Sequence, residues 1–180
     1  MSAQLTHGTW NLDLAHSEIG FSVRHAGISK VRGQFTDADA TLVVGPSLDA
    51  SSVNASISTA SFDSKDSNRD AHVKGADFFD VEQFPHMSFR STSARGTAEQ
   101  FTLVGDLTIK DITLPVEFDV EFGGAAVDPF GATRAGFSAS TVISRKQFGI
   151  TWNAALEAGG VLVGDKVTIT VDAAFVQSAN

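Results

Sequence analysis

The sequence predicts an all-β protein, a closed antiparallel sheet around an apolar interior, and three observations carry that prediction. Apolar and polar residues trade places at every second position: Ile19, Phe21 and Val23 alternate with Glu18, Gly20, Ser22 and Arg24, and Val116, Phe118, Val120 and Phe122 with Glu117, Asp119 and Glu121. Side chains in a strand point to opposite faces in turn, so each run has one dry face and one wet face. Turn formers punctuate the runs, at Gly45-Pro46, Arg95-Gly96, Lys110-Asp111, Gly123-Gly124, Asp128 to Gly131 and Gly159-Gly160, as a series of hairpins requires. The apolar set is rich in phenylalanine, with 14 Phe and no Tyr in 180 residues, so its large rings carry no hydroxyl that needs a buried partner.

In chain order the candidate strands are Trp10 to Leu14, Glu18 to His25, Val31 to Val44, Ser52 to Ala60, His86 to Ser93, Gln100 to Ile109, Thr113 to Phe122, Thr133 to Ser144 and Val161 to Phe175. Each from the second onward places apolar side chains on the inner parity. Phe21 and Val23 come first, then Phe35, Ile57 and Phe89, then Phe101, Leu103 and Leu107. Phe118 and Val120, Phe137 and Ile143, and finally Ile169, Val171 and Phe175 complete the set. The alternation stops once, in Asp66 to Gly75, where an Asp or Ser can cap a first turn, Asp70 can meet Lys74 four residues on, and Gly75 can end the element. This spacing predicts a helix from about Ser67 to Lys74. Two turns of helix do not stand alone, so the element is expected across the sheet or over a barrel mouth, docked by Phe78 and Phe79.

Length and composition narrow the classes. The chain has no linker of low complexity and no internal repeat, and residues 1–180 read as one domain. Absence of cysteine excludes a disulfide framework, a thiolate metal site and a cysteine nucleophile. A net charge of -8 without a basic stripe argues against nucleic acid and anionic membrane surfaces. The opening MSAQLTHGTW has neither the basic nor the apolar region of a leader, and no apolar stretch approaches the ~20 residues of a membrane helix. The expectation is a soluble cytoplasmic protein without stable membrane insertion, or an exported one whose leader has been removed.

A barrel interior is either filled by side chains or wide enough for one ligand, and periodicity does not choose between these. Small residues on the inner parity, Gly33, Gly105, Ala135 and Ala139, either open space or mark tight packing. The candidate contacts for an apolar ligand are Phe21, Val23, His25, Phe35, Ile57, Phe89, Leu103, Leu107, Phe118, Val120, Phe137, Ile169 and Val171. His25 shares parity with Phe21 and Val23, so its ring either reaches a ligand head group at the barrel end or is satisfied by a backbone carbonyl at the rim. His7, His16 and His86 fall beside turns or the terminus and take no special role.

Local catalytic signatures are missing. No histidine pair has metal-ligand spacing, and neither a Gly-x-Ser-x-Gly elbow nor a phosphate-cradling loop is present. The densest ionisable patch is Asp63, Asp66, Arg69, Asp70, His72, Lys74, Asp77 and Asp80. It reads mainly as helix capping and ion pairing, with a metal-dependent or acid/base centre at Asp70 and His72 as the alternative. No cofactor, no metal and no catalytic residue are expected under the first reading.

Several segments, taken in order, resemble the YceI family of lipocalin-like, polyisoprenoid-binding bacterial proteins. They are Trp10 to Ile19, Phe21-Ser-Val-Arg-His25, Val31-Arg-Gly-Gln-Phe35, Asn68-Arg-Asp-Ala-His-Val73, Asp77-Phe-Phe-Asp-Val81 with Phe84-Pro85, Leu107-Thr-Ile-Lys with Leu114-Pro-Val116, Arg145 with Phe148-Gly-Ile150, and Val167 to Val171. The resemblance implies an extended eight-stranded antiparallel barrel, a short helix at one mouth, a homodimer, and an elongated pocket for an isoprenoid or similar lipid. It also implies a glycine where this chain has Asp111, which tolerates the left-handed conformation. The functional expectation is therefore a non-catalytic protein that binds, sequesters or carries a long apolar chain. Its alternatives are the Asp70/His72 enzyme and a filled barrel serving as an interaction scaffold.

Overall fold

The computed structural model describes residues 5–179, so the predicted span 1–180 extends at both ends beyond the described residues. The elements are β1 (Gly8–Leu12), β2 (Glu18–His25), β3 (Ser29–Phe35), β4 (Ala38–Val44), β5 (Ser52–Ser58), β6 (Phe62–Asp63), α1 (Ser67–Lys74), β7 (His86–Gly96), β8 (Gln100–Ile109), β9 (Ile112–Val127), β10 (Thr133–Ser144) and β11 (Val163–Gln177). Every pairing is antiparallel, and the ring runs β1-β4-β5-β7-β8-β9-β10-β11 before returning to β1. Closure occurs where Trp10 faces Gln177 and Leu12 faces Phe175. The result is the eight-stranded closed barrel with one short helix.

Three of the eight staves are broken strands. β1 and β2 both pair with β11 and are separated by a single 3-10 turn at Leu14–His16. Ser17 holds this kink to the sheet: its hydroxyl donates to the Asp13 carbonyl and accepts from the Ala174 amide. β3 and β4 continue one another after an interruption at Thr36 and Asp37, where the Thr36 amide turns to the Ser61 carbonyl. β5 likewise passes through a 3-10 turn at Thr59–Ser61 into β6. The predicted strands Trp10 to Leu14, Val31 to Val44 and Ser52 to Ala60 are corrected accordingly, because side-chain alternation survives a kink that interrupts the backbone ladder.

Three other strands run past their predicted ends: β11 spans Val163–Gln177 where Val161 to Phe175 is expected, and two more do so through bulges. β7 reaches Gly96 through a bulge at Thr92, and β9 crosses Gly123 and Gly124 to reach Val127. Each bulge inserts one residue and flips the parity, so Phe89 and Ala94 are both buried, and Phe122 and Ala125 both pack against the core. Gly124 takes φ +115 there, a conformation that requires glycine. In the β8–β9 turn the left-handed residue is Lys110, at φ +58, and not Asp111.

α1 matches the predicted helix. Asp66 is its N-cap, accepting from the amides of Asn68 and Arg69, and Gly75 ends it. The expected Asp70–Lys74 pair does not form, since Asp70 accepts from both the amide and the hydroxyl of Ser64. Phe78 and Phe79 do pack into the main core, which spans the helix-bearing half of the barrel. Towards the opposite end Trp10, 0% exposed, packs in a second cluster with Phe175, Ala135, Ala40 and Val44. No helix among the described residues is long and apolar enough to cross a membrane.

Candidate functional site

The ring encloses a cavity of about 760 Å³, within the roughly 300–1,000 Å³ typical of ligand pockets. All thirteen candidate contacts line it: Phe21, Val23, His25, Phe35, Ile57, Phe89, Leu103, Leu107, Phe118, Val120, Phe137, Ile169 and Val171. It extends from the helix, where Arg69, His72 and Val73 border it, to the opposite mouth at Pro46, Ser47, Leu48 and Glu99. The barrel is hollow, which overturns the filled-barrel alternative.

The rings leave this space because they pack along the wall. Phe21 stacks on Phe62 with centroids 5.0 Å apart, Phe89 meets Phe118 edge-on at 5.3 Å, and Phe122 lies 5.2 Å from Phe137. Each of these pairs joins strands that are adjacent or next but one. Glycines make the wall-hugging rotamers possible. A Cβ built on Gly33 would stand 2.4 Å from Phe21 Cζ, and one on Gly105 would stand 2.4 Å from Phe89 Cζ. Gly33 and Gly105 therefore mark tight packing, with a phenyl ring laid flat over a bare strand. Ala139 lines the cavity, while Ala135 is buried in the far cluster.

At the helix end the ionisable patch resolves into separate pairs. Arg69 donates from Nε to the Ser64 hydroxyl and from Nη2 to the Ser64 carbonyl, so it does not pair with the neighbouring carboxylates. His72 Nε2 lies 2.9 Å from Asp77 Oδ2, and its ring meets Trp152 edge-on at 4.7 Å and Phe78 at 5.2 Å. Asp63 accepts from the Lys65 amide. Asp70 and His72 thus serve different partners, and among the described residues no three metal-ligating side chains converge. In this geometry capping and pairing use the groups of the patch one by one.

His25 lines the cavity at the rim, exposed, and its ring has no hydrogen bond among the described residues. The expected rim carbonyl does not take it. His16, assigned no role from sequence, pairs with Asp13 at 2.7 Å. Asp13 also pairs with Arg134, which bonds Asp128 at 2.7 Å, tying the β1–β2 kink to the β9–β10 turn. The Arg134 guanidinium holds the carboxyls of both Asp13 and Asp128 below their ordinary value.

Arg145 is the functional-end residue that motif reading quoted without a role. It is 4% exposed and reaches four backbone carbonyls: Nε to Gly164, Nη1 to Ile150 and Trp152, and Nη2 to Val163. One side chain thereby fastens the irregular segment 145–153 to the start of β11. Burial pulls its guanidinium below its ordinary value against the field of Asp165, but an arginine stays charged in proteins. Of the basic groups bordering the cavity, Arg24, His25, Arg69, His72 and Arg145 lie at the helix end; His7 and Glu99 sit at the other, and Asp39 borders the wall partway along the β3–β4 stave.

Comparison with known proteins agrees with this architecture. Residues 10–175 match the YceI-like domain. A UPF0312 protein of Staphylococcus aureus (strain bovine RF122 / ET3-1) is 37% identical over 169 residues, covering 92% of this chain and 96% of that protein. The crystal structure of a Campylobacter jejuni YCEI protein superposes with a TM-score of 0.72 at 26% identity, covering 98% of this chain and 99% of that one. A polyisoprenoid binding domain from Saccharophagus degradans shares the fold, with a TM-score of 0.72 over 96% of this chain and all of its own, at 9% identity.

Proposed function

The chain belongs to the YceI-like family, and on that premise we propose that it binds and carries a single long-chain isoprenoid, quinone or related lipid inside the barrel, without catalysis. The observation that carries this reading is an elongated cavity of about 760 Å³ with an apolar wall and most of its basic groups at one end. The Saccharophagus degradans domain of the same fold is described as polyisoprenoid binding, which supports the choice of ligand class.

Magnitudes favour a long chain. Burying hydrocarbon is worth roughly 0.8 kcal/mol per CH2, so a five-carbon isoprene unit offers on the order of 4 kcal/mol gross. Association costs about 4 to 15 kcal/mol. About four units are needed for tight binding without a head-group contact, and the cavity discriminates by chain length more sharply than by head group. The polar end lies at the helix end, where His25, His72 and Arg69 offer donors to a carbonyl, phenol or phosphate oxygen.

Native mass spectrometry followed by organic extraction tests the reading and also reports whether two chains associate. Protein purified without added lipid is expected to release an apolar molecule with a chain of about four isoprene units or more. Empty protein that also rejects long-chain isoprenoids at micromolar concentration overturns it.

A further inference from the structure

Among the described residues the ladder has gaps at the helix end: β9 and β10 pair only as far as Asp119 and Ser140, and a second gap lies along β3. β3 pairs with β2 along its length but with β6 only at Gln34 and Phe35, leaving Ser29–Gly33 without a second neighbour among the described residues. The cavity reaches this stretch, with Val23, His25 and Val31 bordering it on the hairpin side and His72 and Val73 on the helix side. A gap in the ladder beside a lipid-sized cavity is a lateral lip.

The hairpin that forms the lip carries an unusual surface. Ile28, at its tip, is 86% exposed. Arg24 directly faces Lys30 and Ser22 faces Arg32, so three basic side chains share the outer face, none in an ion pair among the described residues. Like charges directly opposed weaken a sheet, so the cluster is explained by a partner better than by the fold. Lys146 and Lys166 lie on the adjoining segments, with Asp165 as their acidic neighbour. The Ala26 amide donates to the Leu162 carbonyl, fastening the tip to the loop that exposes Val161.

The helix side of the lip brings Asp63, Asp66, Asp70, Asp77 and Asp80 together with Arg69 and Lys74, whereas the other end is richer in carboxylates, its arginines Arg95 and Arg134 already paired with Glu117, Asp13 and Asp128. β2 begins at Glu18, which faces Asp172, and β9 presents Glu117, Asp119 and Glu121 on its outer face. Phe130 is 95% exposed there, but beside Asp128. The net charge of -8 argues against an anionic surface only for the molecule taken as a whole; the fold segregates it.

We infer that the β2–β3 hairpin docks reversibly on an anionic lipid bilayer, with Ile28 entering the interface and Arg24, Lys30 and Arg32 meeting lipid head groups. The lip then faces the membrane, and a bound chain passes between bilayer and cavity without crossing water. This inference rests on the carrier reading for its purpose, but the docking is measurable on its own. Charges on a free edge also deter strand pairing, a role that either sign fills, so charge reversal separates the two explanations.

The experiment is co-sedimentation of the full chain with vesicles of phosphatidylcholine alone and of phosphatidylcholine with phosphatidylglycerol, at low and raised salt. Binding is expected to the anionic vesicles and to fall with salt. Ile28→Asp weakens it at least about tenfold, and Lys30→Glu with Arg32→Glu weakens it more than about 30-fold. Phe130→Asp, at the acidic end, binds as the parent does, and no variant melts below the parent, the Lys30→Glu protein gaining slightly from its new pairing with Arg24. Equal affinity for both vesicle types overturns the inference, as do unchanged binding in the hairpin variants, loss in Phe130→Asp, or hairpin-dependent binding to an acidic protein without vesicle affinity. Lipid extraction from the same proteins separates the two readings. A loaded barrel that ignores vesicles removes the docking alone, and an empty barrel that rejects prenyl chains yet binds vesicles removes the carrier alone.

Discussion

The two ends of this barrel are built on different principles. Away from the helix, closure is by the sheet itself: β1 meets β11, Trp10 and Phe175 pack together, and Arg134 clamps Asp13 to Asp128. At the helix end the ladder gives out and short segments take over, each held by a few side chains: Asp66 and Ser64 for α1, Phe78 and Phe79 for the turn after it, Arg145 for residues 145–153. Local pieces held by local bonds open at lower cost than a hydrogen-bonded ring. The difference teaches that, on the carrier reading, the end with most of the basic groups and the unpaired β3 edge is the one through which a ligand passes.

The largest effect comes from breaking what both ends share. Phe118→Asp or Ile169→Asp places a carboxylate on the apolar wall, and the expected outcome is complete loss of extractable lipid. Phe118→Leu and Ile169→Leu keep the wall apolar and retain it.

Next in size is Arg145→Met, which strands four carbonyls at the helix end. Urea unfolding is expected to show a loss of about 3 kcal/mol or more. Arg145→Lys does not restore it, because an ammonium cannot reproduce the planar fork. A loss confined to the helix end, seen as faster amide exchange in residues 145–153 with the β1–β11 closure still protected, sharpens the comparison; uniform loss breaks it.

Gly105→Ala is expected to cost about 1–3 kcal/mol in the same assay. Its Cβ meets the Phe89 ring and the Arg90 carbonyl, at 2.4 and 2.6 Å, so the ring must swing into the cavity. Lipid capacity falls with it. An unchanged melting temperature and full loading would refute the role assigned to this glycine.

The smallest effect belongs to the acidic end. The carboxyls of Asp13 and Asp128 are held below their ordinary value chiefly by Arg134, so their contribution is complete above the ordinary carboxylate pKa of about 4 and disappears as the pH falls through the depressed folded values. Thermal melts of Arg134→Gln and parent are expected to differ slightly at neutral pH and to converge in stronger acid. A gap that widens on acidification contradicts the assignment.

Much of this was legible in the sequence because strand parity is a local property. Phe21, Val23, Phe118, Val120, Ile169 and Val171 announce their inward face by alternation alone, and Asp66 and Gly75 announce the helix ends. Bulges at Thr92 and Gly123 erased the signal at two strand ends, since one inserted residue inverts the parity on which the reading depends. Arg145 was invisible as an anchor because its four partners are backbone carbonyls, which every sequence offers everywhere. Sequence also could not show that Phe21 and Phe89 lie flat over Gly33 and Gly105, partners brought together only by register.

By itself, then, the order of residues determined the strands, the helix and the apolar character of the interior, because each depends on neighbours two to four positions apart. Tertiary structure alone decided that the interior is hollow, that the wall has an unpaired stretch at β3, and that the hairpin carrying Arg24, Lys30 and Arg32 borders it beside the cavity. Those outcomes depend on which distant strands meet and in what register, and the summed geometry of eight staves is not a property of any one of them.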